Sequence, residues 1–362
     1  MLQLSFRVTT PVSSLPCSSV LASAGRWFLR SGIQNAEGGV ARYHRFDSGN
    51  MPVSTEITGY TISTMCWLFR MTGDAEYLAA AERSAKFLTE NAWHPEYGLF
   101  PYELGYPLPD SYFFDCGIII RGLLALWRIN KNQLLLDVAT ACAYGMRQFR
   151  AADGRWSPII ALPHFEHLPY QKKWSKEPGC YQLKAALAWA EVAQLTSDDV
   201  LKAWFEEALA LALANEDSFL TGSDDPSELM NRLHAYCYYL EALLATPKHT
   251  ATLTAGIEKA SGLLAQISPT FQRSDVCAQL LRLSVLTNHD GPAGSKALAE
   301  LLRTYQLTAG ESATVGGFGF GRRNGVMLPM VNPVSTAFAV QALAMIELHA
   351  SGNNPGSVAD LI

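Results

Sequence analysis

Twelve helix-forming segments follow one another along the chain, and the connections between them alternate between tight turns and long loops. Ala and Leu dominate the segments, and β-branched alternation is scarce. The expected helices cover 19 to 30, 54 to 71, 75 to 91, 113 to 129, 133 to 150, 180 to 195, 198 to 214, 228 to 245, 250 to 266, 273 to 287, 294 to 306 and 333 to 350. Local chemistry sets their bounds. Ser54, Thr55 and Glu56 are start-type residues after Pro52, Gly73-Asp74 stops one helix and caps the next, and Tyr77, Leu78, Ala81, Ala85 and Leu88 recur at helical spacing. Even-numbered helices run into their successors through turns such as Thr72-Gly73-Asp74, Asn130-Lys131-Asn132, Thr196-Ser197 and Thr246-Pro247-Lys248. Odd-numbered helices are followed by long loops, except before the tenth.

This pattern is what six stacked helical hairpins produce. The even helices are also the more uniformly apolar, for example 116 to 127, 183 to 193, 235 to 245 and 334 to 346, and a helix apolar all round belongs in an interior. The odd helices carry charged faces, with Glu82, Arg83 and Lys86 on one and Glu206 and Glu207 on another. The expected fold is therefore all-α, an (α/α)6 toroid with the even helices inside. A helical solenoid is the alternative, but its loops would be uniform. Here the inner starts, near 54, 113, 180, 228, 273 and 333, are 45 to 67 residues apart, and one set of loops is much longer. Residues 1 to 362 are expected to form one toroid domain, with 1 to 17 as a flexible N-terminal extension.

The 362 residues are 49% hydrophobic and 17% charged, with a net charge of -5. No basic stretch interleaved with aromatics appears, which argues against a nucleic-acid partner. No apolar run approaches the roughly 20 residues needed to cross a bilayer. The N-terminus lacks the continuous apolar stretch of an export signal. Seven scattered cysteines (17, 66, 116, 142, 180, 237, 277) include no CxxC pair, and most sit in apolar helical runs. A reduced, cytoplasmic protein is expected.

In a toroid all six inner helices begin at one end, pooling free N–H groups and positive dipole ends there. The residues at those starts include Glu56 and Tyr60; Asp115; Trp174 and Tyr181; His234 and Tyr236; Arg273 and Asp275; and Arg322 and Asn332. Aromatic faces stack on pyranose rings, carboxylates, Asn and Arg bond hydroxyls, and a carboxyl pair can serve as acid and base or nucleophile. Each residue also has a plainer role open to it. Glu56, Asp115 and Asp275 are in first turns where an acid is favoured anyway, His234 and the tyrosines suit a core, and Arg322 suits a solvated loop. Asp275-Val276-Cys277 has the Asp-x-Cys spacing of a zinc site, but 332 to 334 hold Asn-Pro-Val where a third ligand, a His, would be needed. No metal or cofactor is expected.

The runs 38 to 43 (Gly-Gly-Val-Ala-Arg-Tyr), 54 to 62 (Ser-Thr-Glu-Ile-Thr-Gly-Tyr-Thr-Ile), 273 to 282 (Arg-Ser-Asp-Val-Cys-Ala-Gln-Leu-Leu-Arg) and His234-Ala235-Tyr236 with Leu240-Glu241-Ala242-Leu243-Leu244 carry a resemblance. They are similar to runs of bacterial α/α-toroid proteins encoded with exopolysaccharide synthesis, in the wider six-hairpin glycosidase and terpenoid-cyclase-like superfamily. The resemblance covers 38 to about 346. Ser54 stands where the family carries Tyr-Pro, which removes one sugar-stacking ring. The resemblance implies a glycan substrate, exopolysaccharide-synthesis proteins as partners, and glycan chemistry without fixing the reaction. The expected reaction is glycoside hydrolysis by Glu56 and Asp115, with Asp275 and His234 as reserve acid and base. Tyr60, Tyr181, Tyr236, Trp174 and Asn332 would contact sugar, and Arg273 and Arg322 a uronate. The alternatives are an epimerase or polysaccharide lyase working through His234, an isoprenoid cyclase-like enzyme, and a non-catalytic glycan-binding scaffold.

Overall fold

The computed structural model describes residues 18–105, 107, 109–221, 225–291 and 294–362. The expected extension, 1–17 with Cys17, lies outside the described residues. The twelve expected helices are present: α1 (Ser19–Arg30), α2 (Thr55–Thr72), α3 (Ala75–Phe87), α4 (Phe113–Asn130), α5 (Gln133–Gly145), α6 (Gln182–Thr196), α7 (Asp199–Phe219), α8 (Pro226–Leu243), α9 (Thr250–Ile267), α10 (Ser274–Thr287), α11 (Ser295–Arg303) and α12 (Pro333–Ala350). Each even helix packs on the next even helix, and α12 packs back on α2, so the inner ring is closed. The odd helices lie outside, with α1 against α12 completing the sixth hairpin. The Trp27 indole N–H, donating to the Ala313 carbonyl at 2.8 Å, ties α1 to the last long loop. This is the (α/α)6 toroid.

Local signals account for most element ends. Ser54, Asp74, Asn132, Asp198 and Asn332 accept hydrogen bonds from the first-turn N–H groups of α2, α3, α5, α7 and α12. Four inner helices stop at a left-handed residue, Gly73, Lys131, Ser197 and Asn288, which makes the turn to the outer helix tight. Several bounds differ from expectation. Helix α8 begins two residues early because Asp225 caps it and Pro226 is pre-set for a first helical position. Helix α7 runs on to Phe219, whose ring packs beside Tyr181 at 5.8 Å. Helix α11 stops at Arg303 because Tyr305 is buried and donates to Gln272 Oε1 at 2.7 Å. The ends of the third and fifth segments wind as a π turn (Leu88–Ala92) and a 3-10 turn (Met146–Phe149).

The long loops are not featureless. They pair as short antiparallel strands: Val40–Ala41 with Val53–Ser54, His44–Arg45 with Gly49–Asn50 and Met330–Val331, Ser111–Tyr112 with Ile159–Ala161, and Phe271–Arg273 with Gly321–Arg323. Val53–Ser54, Ser111–Tyr112 and Phe271–Arg273 run straight into inner helices, and three of the pairings join one loop to a neighbouring loop. The loops thereby hold one another in place around the rim.

Inside the ring, α2 and α4 approach closely enough to need glycine. A Cβ at Gly122 would lie 2.4 Å from the Gly59 carbonyl oxygen, and one at Gly59 would lie 2.9 Å from the Ile119 Cα. Both clashes are with backbone, which cannot rotate away. Gly122→Ala should therefore cost about 2–3 kcal/mol of stability. A urea melt showing less than about 0.5 kcal/mol would mean that the two helices part without penalty.

Below the rim the barrel is filled in layers. Tyr60, Phe114, Tyr238 and Phe338 form an aromatic floor with edge or tilted contacts between 4.8 and 6.2 Å. Under it lies a layer of buried charge. Lys184 Nζ donates to Glu241 at 3.0 Å, Arg282 also pairs with Glu241, and Glu191 takes Arg121 at 2.7 Å and Arg128 at 2.8 Å. The C-terminal segment closes the far end. Arg121 donates to the Leu361 carbonyl, and Gln341 donates to that of Asp360 at 2.7 Å and accepts from the Ile362 N–H.

Candidate functional site

A cavity of 480 Å3 opens at the rim where the inner helices begin. Smaller cavities, of 300 Å3 between α6 and α7 and 270 Å3 beside the C-terminal segment, each carry one acidic side chain in their lining. The rim cavity brings two together. Glu56 is in the first turn of α2 and Asp115 in the first turn of α4, and both line it. The rest of the wall is Arg42 and Tyr43 from the first loop, Tyr102 and Tyr112 from the second, Lys173 and Trp174 from the third, and Phe114, Tyr181, Phe320 and Asn332.

Electrostatics make the two carboxyls a pair. Burial pushes the Glu56 carboxyl up to about 7, against the pull of the Arg42 guanidinium. Asp115, only 8% exposed, is pushed well above the usual carboxylate range by burial and then by the neighbouring Glu56 charge. The helix dipole acts the other way, but it is worth roughly 0.3–1 kcal/mol, less than one pH unit. Desolvation therefore wins over the first-turn location, and the acids do not behave as plain helix-start residues. The site can hold one protonated and one ionised carboxyl near neutral pH.

The expected reserve pair lies one layer behind the wall. Asp275 is held by Arg273 through a bidentate contact, 3.0 Å from Nε and 2.6 Å from Nη2. Burial works to raise its pKa, but Arg273 and His234 outweigh this and hold it low. His234 Nδ1 bonds Gln279 Oε1 at 2.9 Å and lies 3.8 Å from Asp275. Burial and the Arg273 charge push its pKa down to about 4, so the imidazole is neutral at physiological pH. Its ring touches Tyr238 at 4.6 Å and Trp174 at 6.0 Å, which separates it from the open cavity.

The expected sugar contacts divide in the same way. Trp174, Tyr181 and Asn332 line the cavity, while Tyr60 is buried in the floor against Phe338. Tyr236 points outward, with its hydroxyl on Glu216 at 2.7 Å and Lys259 over its ring. Arg322 also lies away from the cavity. It stacks on Tyr305 and donates to the Thr304 carbonyl at 3.0 Å. Arg273 has a third donor on Asn231 at 2.7 Å and its guanidinium 4.6 Å from the centre of the Phe320 ring, so it supports the wall without opening on it. Arg42, Tyr102, Tyr112, Phe114 and Lys173 were not expected. Tyr112 and Phe114 flank the start of α4, where their spacing around Asp115 was the available signal. Arg42, Tyr102 and Lys173 come from loops, where no periodicity marks a facing direction. Tyr102 also stands next to Ser54, because Thr55 donates to its carbonyl at 3.2 Å, so a ring is present beside the position where the resemblance lacks one.

No protein-family model matches the sequence, and no curated protein matches it either. Solved structures do share the architecture. Cellobiose 2-epimerase from Spirochaeta thermophila superposes with a TM-score of 0.70 at 12% identity, covering 91% of this chain and 95% of that one. A sugar epimerase from a ruminal bacterium gives 0.67 at 11% identity, over 92% and 97%. The unsaturated glucuronyl hydrolase of Bacillus sp. GL1 gives 0.60 at 13% identity, over 91% and 96%. At such identities the likeness concerns the fold, and this chain has the six-hairpin toroid of these proteins over nearly its whole length.

Proposed function

We propose that this protein is a carbohydrate-active enzyme that hydrolyses a glycosidic bond with Glu56 and Asp115. The observation that carries the reading is the carboxyl pair itself, two acids on adjacent inner helices, desolvated and mutually repelling, in an aromatic-lined cavity. Asp115, the more deeply buried of the two and raised by burial and the Glu56 charge, keeps its proton and donates it to the leaving oxygen. Glu56, ionised above about 7, activates water or attacks the anomeric carbon. Trp174, Tyr112 and Tyr181 offer faces and edges for a pyranose, and Asn332 a polar contact. That fold neighbours include sugar epimerases and a glucuronyl hydrolase supports glycan work of this kind.

The biological setting is part of the same proposal. The resemblance of the runs at 38 to 43, 54 to 62 and 273 to 282 supports a place in bacterial exopolysaccharide metabolism, with exopolysaccharide-synthesis proteins as partners and a cytoplasmic location for a one-domain toroid. Among the described residues no helix is long and apolar enough to cross a membrane.

Incubation with a panel of acidic and neutral bacterial exopolysaccharides, read by mass spectrometry, tests the reaction. Fragments heavier by one water are expected. The kcat/KM profile should fall as pH drops below about 7, because Glu56 then takes a proton. A profile flat from pH 5 to 8 would remove Glu56 from its role. A second reading, epimerisation, takes its support from the sugar epimerases among the fold neighbours, since His234 itself sits behind Tyr238 and Trp174. Its signature is solvent deuterium uptake without cleavage.

A further inference from the structure

The rim arginines differ in how many of their donors the protein has already taken. Arg45 is bidentate on Asp47 at 2.9 and 2.7 Å, Arg155 is bidentate on Asp153, and Arg232 bonds Glu177 and the Phe219 carbonyl. Arg273 and Arg322 are engaged as described above. Arg42 differs in place, because it lines the rim cavity. A guanidinium has five N–H donors, and among the described residues the Arg42 side chain makes one hydrogen bond, a long one of 3.4 Å to Glu103. Its guanidinium lies 5.7 Å from the centre of the Tyr102 ring, which limits the directions the fork can take. It lines the cavity, and its charge is felt by both Glu56 and Asp115. Lys173 lines the same cavity, is exposed, and has no ion-pair partner among the described residues.

The charge balance of the cavity follows. Two cations face two carboxyls that between them hold a proton near neutral pH, and Glu103, ion-paired with Arg42 at 3.4 Å from outside the lining, offsets part of the excess positive charge. A neutral sugar would leave Lys173 without a counter-charge and Arg42 with only that single contact. A carboxylate would neutralise them, and the planar fork of arginine matches carboxylate geometry. We infer that the site takes an acidic sugar, a uronic acid or another carboxylate-bearing residue, with its carboxylate on Arg42 and Lys173 as the second, flexible counter-ion. This rests on the glycan reading of the cavity and names the substrate class within it.

The test is equilibrium binding, by calorimetry at low ionic strength, of two matched pairs: D-glucuronate with D-glucose, and D-galacturonate with D-galactose. At least one uronate should bind about tenfold or more tightly than its neutral parent, equivalent to about 1.4 kcal/mol. The preference should shrink as salt is added. Arg42→Gln should abolish it, Arg42→Lys should keep part of it, and Lys173→Gln should reduce it less than Arg42→Gln does. Equal affinity within both pairs, a preference that survives Arg42→Gln, or no binding of any of the four sugars would overturn the inference. The outcome is separable from the hydrolytic reading. Cleavage of neutral glycans that depends on Glu56 and Asp115, with no acid preference, would sink this inference alone. An acid preference in a protein that cleaves nothing would sink the other.

Discussion

Asp115→Asn and Glu56→Gln are each expected to lower the rate of glycan cleavage by about 10²–10⁴-fold, the range that general acid–base groups supply, and at the same time to make the protein more stable at pH 8. The second effect separates catalytic from structural acids. A carboxyl raised in the folded protein holds its proton more tightly there than in the unfolded chain. Stability is therefore full below the unfolded value near 4.5, declines as pH rises toward the folded value of about 7 for Glu56, and stays reduced above it. An amide of the same shape has no charge to desolvate. Glu56→Gln should gain on the order of 2 kcal/mol over the wild type at pH 8 and nothing at pH 4, and Asp115→Asn should shift in the same direction. Thermal melts at both pH values, run beside the activity assay, check this. A variant less stable than wild type at pH 8 would show that its carboxylate serves the fold, as a helix-start acid would.

The opposite sign is expected in the charge layer beneath the aromatic floor. Glu241 is fully buried between Lys184 and Arg282, and although burial works to raise its pKa, those two cations hold it low. Glu241→Gln leaves Arg282 buried without its counter-charge, while Lys184, already pushed down to about 7 by burial, sheds its proton, and breaking a buried pair in this way costs roughly 3–5 kcal/mol. The Arg282 side chain also bonds Gln341 at 3.0 Å and covers Phe338 at 3.9 Å, so it has no path to water. The loss should appear in a urea melt of the intact chain at pH 7. Because Glu241 has a depressed pKa, its contribution is present above the unfolded carboxylate value and disappears as pH falls below it. The gap between wild type and variant should therefore close in acid. A cost under about 1 kcal/mol would mean that water or the C-terminal segment rearranges to compensate.

Much of the architecture was legible because its causes are local. The tight turns at Gly73, Lys131 and Ser197, the caps at Ser54, Asp74 and Asn332, and the all-round apolar inner helices are properties of a few neighbouring residues. The short strands of the rim were not legible. Two-residue pairings such as Val40–Ala41 with Val53–Ser54 have no periodicity to detect and exist because helices on either side bring the loops together. The carboxyl pair was half legible. Glu56 and Asp115 could be placed at equivalent depths on successive helices, but a first-turn acid reads the same whether it is solvated or buried.

Tyr236 and Tyr238 show where the boundary falls. They are two residues apart on α8, about 200° around the helix, and both are aromatic neighbours of His234. The sequence determined that both are helical and largely buried. Only the ring closure decided that Tyr238 faces the cavity floor while Tyr236 turns outward to Glu216. The arginines divide likewise. Arg273 sits directly ahead of α10 and is paired by Asp275 two residues on, whereas Arg42 lies in the first long loop and its partner Glu103 is 61 residues away. Arg273 meets Asn231, 42 residues away, besides Asp275, and has three of its five donors taken. Arg42 gives one donor to Glu103 at 3.4 Å and keeps the others. Propensity, capping and apolar periodicity act over a few residues and so can be read along the chain. Neutralisation and desolvation depend on groups that only the closed toroid assembles, and those two quantities select the site.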